Sequence, residues 1–162
     1  MVRPLRAETE RYGEYSKPGE FVWDHPFQWG SRRIGPDLHR VGGKYANLWH
    51  FLHLDDPRST SPGSLMPGYD FLRDGTVDLD VIAARMKVLQ RLGVPYSEEE
   101  LASAVADAQG QAQEIVDDLA KGDVVVDANS EMIALIAYLQ RLGRGPQYFP
   151  DGQAQALLEE GN

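Results

Sequence analysis

The chain contains no cysteine among its 162 residues. Disulfides, zinc–thiolate centres and covalent haem attachment through this chain's own thiols are thereby excluded. Long apolar runs are missing as well. The longest, Met132 to Leu139, falls far short of the ~20 residues a membrane span needs. No basic stretch followed by an apolar one opens the sequence, so taken alone it reads as a soluble polypeptide without an export signal. Basic residues are scarce relative to acidic ones, 16 against 25, leaving a net charge of −9. Nucleic acid, which calls for a basic face, is therefore not an expected partner. Such a charge serves solubility, and it can also steer a basic protein partner.

What is present divides at about the middle. Residues 1 to 46 are rich in glycine, proline, aromatics and charge, with little helical period. Phe21-Val22-Trp23 and Trp29 to Ile34 are expected to pair as a short hairpin around Asp24-His25-Pro26. Gly35-Pro36 forces a turn, and Gly42-Gly43 frees the backbone again. Asn47 is the expected N-cap of a short helix through Leu54, which Asp55-Asp56-Pro57 ends. An extended Pro/Ser/Gly loop then runs from Pro57 to Pro67.

Beyond it the pattern turns helical. Val81, Ile82, Met86, Leu89 and Leu92 recur at helical spacing, with Gly93 as the stop. Ser97-Glu98-Glu99-Glu100 has the form of a capping box opening a helix over about 98 to 121. Its apolar stripe of Leu101, Val105, Ala108, Ala112, Ile115 and Leu119 is narrow, so one side alone packs. Ser130 caps a last helix, Met132 to Leu142, closed by Gly143. A polar tail with a frayed turn near Ala154 to Glu159 is expected after that.

Two motifs carry the chemistry. Met66 precedes a proline, which biases it toward extended backbone and contributes no amide hydrogen. A thioether held so is suited to ligate iron, with Leu65 and Pro67 as a shield from water; its plain alternative is a methionine filling a core gap. Gly35-Pro36-Asp37-Leu38 is a compact turn able to present a carbonyl to a ligand histidine's ring N–H, with Leu38 against a porphyrin edge. Its plain alternative is a surface turn.

The histidine pair His50 and His53 stands at i and i+3, where it could join His39 or Asp55 in a metal site, or lie part-buried beside Trp49. The acidic runs Asp55-Asp56, Glu98 to Glu100 and Asp117-Asp118 read as loop ends and helix caps. Trp23, Phe27 and Trp29, beside Arg32 and Arg33, form either a docking surface or a local mini-core.

Taken together, Gly35-Pro36-Asp37-Leu38-His39, Gly42-Gly43-Lys44, Met66-Pro67 and Ile133 to Leu139 resemble the downstream part of a class I cytochrome c. The opening Met1-Val2-Arg3-Pro4-Leu5-Arg6-Ala7-Glu8-Thr9-Glu10-Arg11-Tyr12-Gly13 is more specific. It resembles the stretch after the haem-attachment motif in the mono-haem subunit of cbb(3)-type cytochrome c oxidases, the FixO/CcoO family. Phe21 to Phe27, Trp29 to Arg33 and Met66-Pro67-Gly68-Tyr69 resemble that family too, so the likeness covers roughly residues 1 to 143.

The resemblance implies a mainly α, class I cytochrome c-like domain with a short β-hairpin. Residues 1–73 and 131–143 would form its core, 74–130 a helical insertion and 144–162 the tail. It implies haem c in the parent protein, Met66 as the axial ligand, and Gly35, Pro36, Leu38, Lys44, Trp49 and Tyr69 around the porphyrin. Lys44 would sit near a propionate. It further implies an electron-transfer role at the periplasmic face of the bacterial inner membrane. The other oxidase subunits and a cytochrome c-type donor are the implied partners. The family's membrane anchor and Cys-x-x-Cys-His fall upstream of Met1, so a fragment unable to attach haem covalently is expected, tied to the membrane only through that missing anchor. A pocket lined by Leu38, Val41, Leu52 and Leu65 should then be collapsed or mobile. A haem-free interaction or scaffold module is the competing expectation.

Overall fold

The computed structural model describes residues 1–30 and 33–144, and the described chain is mainly helical. The polar tail expected beyond Arg144, with its turn at 154–159, lies outside the described residues. The elements in order are α1 (Arg6–Tyr12), α2 (Asn47–Asp55), α3 (Pro57–Thr60), α4 (Val81–Arg91), α5 (Glu98–Ala120) and α6 (Glu131–Arg141). Two 3₁₀ turns, Pro18–Phe21 and Asp70–Arg73, complete them. No described helix is long and apolar enough to cross a membrane. The described residues fall into two compact units, 1–44 with 140–144, and 45–139.

The first unit is held by ion pairs more than by apolar packing. Val2 is fully buried, and it exchanges backbone and side-chain hydrogen bonds with Ser16, which is itself buried. Glu8 projects from α1 into a cluster with Arg3 and Arg33; Arg33 reaches it at 2.5 Å and Asp37 at 2.9 Å. The guanidinia of Arg33 and Arg3 hold the Glu8 carboxyl down at about 2. Burial pushes Asp37 up, but the His39 amide and Arg33 outweigh it and keep that carboxylate low. Of the two readings open for the aromatics beside Arg33, docking surface or local core, its engagement by Glu8 and Asp37 makes Arg33 an internal partner.

A hairpin at 21–34 does not form among the described residues. Pro18–Phe21 winds into a 3₁₀ turn, closed by the Lys17 amide donating to Glu20 Oε1 at 2.9 Å. Glu20 is drawn inward by Arg40 at 2.7 Å and His39 at 2.9 Å, which fixes Phe21 beneath the His39 ring. Phe21 stacks on His39 at 4.9 Å and takes Trp29 edge-on at 5.5 Å. The aromatics therefore make a small core here, while Phe27 stays exposed. Elsewhere in this unit, a Cβ on Gly42 would meet the carbonyl oxygens of Leu142 and Gln140 at 2.5 and 2.6 Å. Only glycine fits that approach.

In the second unit the side chains excluded from water come mainly from two helices. Ala112, Ile115 and Leu119 belong to α5, and Met132, Ile133 and Ile136 to α6. The capping box expected at Ser97 is present in both directions, 3.2 Å from the Glu100 amide to the hydroxyl and 2.8 Å from the Ser97 amide to the carboxylate. Gly93 and Gly143 stop α4 and the α6 end with φ of +100° and +77°. Ser130 caps α6 through the Ile133 amide. Asn47, expected as the cap of α2, is instead its first residue; Ala46 takes the cap position and the Asn47 amide donates to Asp118 on α5 at 3.0 Å. α4 packs on α5, and α5 on α2.

Two outcomes follow from these cores. Ile133→Ala, at a fully buried site, should cost about 2–5 kcal/mol in urea unfolding. For Glu8 the folded carboxyl lies below its ordinary 4.5, so its contribution is complete above that value and fades as pH falls towards about 2. Glu8→Gln should therefore melt below the parent protein at pH 7, with the gap closing as the pH approaches 2. An equal gap at both pH values would show that the charge cluster does not carry this stability.

Candidate functional site

Met66 lies on a stretch that takes no helical or strand form, residues 64–69, within the second unit. Three local features hold it there. Its amide donates to Ser64 Oγ at 3.2 Å, an ST-type turn that opens the approach. Two residues on, a Cβ at Gly68 would sit 2.9 Å from the Asp55 carbonyl oxygen. The Tyr69 amide then donates to the Leu54 carbonyl at 2.7 Å. The loop is thus tied to the last turn of α2, where orphan carbonyls need donors.

The thioether is half-buried, whereas Leu65 beside it is 98% exposed, Phe71 60% and Leu52 38%. Tyr69 lies 6.1 Å from Phe71, ring to ring, and Trp49 sits in a column between Tyr45 at 4.0 Å and His53 at 4.5 Å. The column follows from the helical repeat, since residues four apart on α2 and its lead-in share one face.

Gly35, Pro36, Leu38 and Lys44 belong to the first unit. Gly35 takes φ of +101° and Pro36 is exposed, a tight turn whose rigidity comes from Asp37 accepting the His39 amide at 2.9 Å. Leu38 is 47% exposed and Val41 buried. Lys44 donates to the Arg11 carbonyl at 2.9 Å.

The histidines separate by environment. His39 is engaged by Glu20, and His53 Nδ1 lies 2.5 Å from Thr60 Oγ1. His50 is 4% exposed, and its Nε2 has no hydrogen-bond partner among the described residues. Burial, and then the nearby His53, lowers its pKa and so favours the uncharged imidazole. No cluster of three or more His, Asp or Glu with metal-binding geometry occurs among the described residues. Sequence reasoning did not single out His50 apart from its pair, nor Glu8. The i, i+4 spacing of Arg33 and Asp37 was a usable signal for half of that ion cluster, while nothing local marks Glu8 as its centre.

Set against a c-type haem, these residues fit in one respect and not in another. A half-buried thioether on fixed, non-helical backbone with apolar neighbours is a suitable axial donor. Thioether attachment has no cysteine to use in this chain.

No curated protein matches the chain at a significant level. Residues 1–145 match the family described as cytochrome c oxidase, mono-heme subunit/FixO. That match takes in α1, the Gly-Pro turn, the Met66 loop and all of α4 to α6, so the chain belongs to the FixO family of mono-haem cytochrome c oxidase subunits.

Proposed function

We propose that the protein serves as the electron-transfer subunit of a cbb(3)-type haem–copper oxidase, passing single electrons from a cytochrome c-type donor towards the oxidase. The observation that carries the reading is the Met66 loop, a half-buried thioether fastened to α2 with exposed apolar residues beside it. Haem c, when bound, supplies the redox couple; the polypeptide sets ligand, burial and docking.

In this reading Met66 would supply an iron ligand, and a thioether donor would raise the potential relative to a second nitrogen donor. The Ser64, Gly68 and Tyr69 contacts hold its backbone in extended form. Leu65 and Tyr69 would shield the metal from water, and covering the Leu65 side chain would recover about 1.5–3 kcal/mol. By the family resemblance, Pro36 would present a carbonyl to a ligand histidine, with Gly35 permitting the turn and Leu38 meeting the porphyrin. Lys44 would pair with a propionate, and Trp49 would lie against the ring. Thioether bonds would need cysteines that these residues do not include.

The fold in this reading is a class I cytochrome c-like core, 1–73 with 131–143, interrupted by the helical segment 74–130. The parent enzyme acts at the periplasmic face of the bacterial inner membrane, and the acidic excess steers a basic donor towards it.

The test is to supply a Cys-x-x-Cys-His segment ahead of Met1 in cells with c-type haem maturation. The product should show the methionine-to-iron charge-transfer band. Met66→Ala should abolish that band and lower the midpoint potential by on the order of 0.1 V, within the ~0.8 V that axial ligands span. An unchanged band and potential would remove Met66 from the role.

A further inference from the structure

Helix α4 differs from every other long helix here. It has no buried residue, and it contains Arg85, Lys87 and Arg91 with no Asp or Glu. Its neighbour α5 carries seven acids and no base. None of the three α4 cations takes part in an ion pair among the described residues, although Arg3, Arg6, Lys17, Arg33, Arg40, Arg73 and Lys121 do.

All three are exposed, and so are Ala84, Val88 and Leu92, spaced four apart along one face. Val88 is 54% and Leu92 53% exposed. The inward stripe is a different one: Ile82, Met86 and Leu89 are half-buried, and α4 packs on α5. The turn between the helices is fastened by the Gln90 side-chain amide, which donates to the Tyr96 carbonyl at 2.8 Å and to Glu98 at 3.2 Å. The helical hairpin thus presents a strip of small aliphatic side chains flanked by three cations that have no ion-pair partner among the described residues.

From this strip we infer that α4 is a docking surface for an acidic protein face with an apolar centre, on a neighbouring subunit of the oxidase. The inference rests on the oxidase-subunit reading. An apolar middle with a charged rim is the anatomy of a protein–protein contact, and arginine is enriched in such contacts. Three cations with no acid among them select an acidic counterpart and repel a basic one. An anionic lipid surface suits the strip less well. Its apolar part is Ala84, Val88 and Leu92, without the aromatic or long aliphatic residues that bury into a headgroup boundary.

The experiment is photo-cross-linking within the assembled oxidase in membranes. The cross-linking residue is placed at Val88, or at the exposed Gln109 of α5 as control, and the linked peptide is sequenced. Position 88 should link to a segment of another subunit rich in Asp and Glu, and position 109 should not. The triple variant Arg85→Glu, Lys87→Glu, Arg91→Glu, with helicity checked by circular dichroism, should lower the yield at least about fivefold. The parent protein in about 0.5 M salt, where screening acts over ~4 Å, should show a similar loss. Links from position 88 only to lipid or to this chain, or a yield indifferent to charge and salt, would overturn the inference while leaving the oxidase-subunit reading in place. Failure to recover the chain with the oxidase would overturn both.

Discussion

The hydrogen bond from the Tyr69 amide to the Leu54 carbonyl, 2.7 Å long, is the constraint on which the Met66 loop depends. A methionine has three rotatable bonds and adapts to whatever surrounds it. It can hold a sulfur at one place only if the backbone on both sides is fixed. Proline at 67 removes one donor and the helical option, Gly68 allows approach to the Asp55 carbonyl, and Tyr69 closes the loop onto α2. The same contacts satisfy carbonyls at the end of α2 that a helix leaves without partners. One short segment therefore satisfies the end of a helix and fixes the backbone around Met66, which explains why it is neither helix nor strand.

A column of aromatic rings runs along α2 and its lead-in. Tyr45, Trp49 and His53 stack at near-parallel angles of 18° and 12°, which stiffens α2 without drawing on an aliphatic core. His50 turns inward from the same helix and is 4% exposed. Burial disfavours its charged form, and its Nε2 has no hydrogen-bond partner among the described residues. The fully buried Leu119, Met132, Ile133 and Ile136 of this unit sit on α5 and α6, and Phe51 and Leu54 of α2 are buried as well. The helix to which the Met66 loop is tied is thus itself part of the packed core, and α5 packs on it.

How much of this was legible depended on whether the deciding contact was local. Ser97 and Glu100 lie three residues apart, so their reciprocal cap could be read directly, and the glycine stops at 93 and 143 likewise depend on nearest neighbours. Asn47 misled because its side chain goes to Asp118, 71 residues away, leaving Ala46 at the cap. Phe21 to Trp23 looked like a strand from composition, yet Glu20 is held by His39 and Arg40 about 20 residues on, and that pull favours a 3₁₀ turn. The Met-Pro and Gly-Pro motifs were visible in themselves. The family likeness resting on them extends over residues 1–145, while the tie from Tyr69 to Leu54 has no sequence signature.

Net charge illustrates the same limit in electrostatic form. A total of −9 suggests a basic partner, and its field steers an approaching molecule most at low ionic strength, because charges more than a Debye length of ~8–10 Å apart are largely screened. Contact is decided closer in, where individual faces matter. There the charge is divided: seven acids on α5 and three bases on the exposed side of α4. A protein so arranged can attract a basic donor from afar and still seat an acidic neighbour on one helix. The two preferences do not compete, because one operates during approach and the other after desolvation of a single helical strip about 12 Å long.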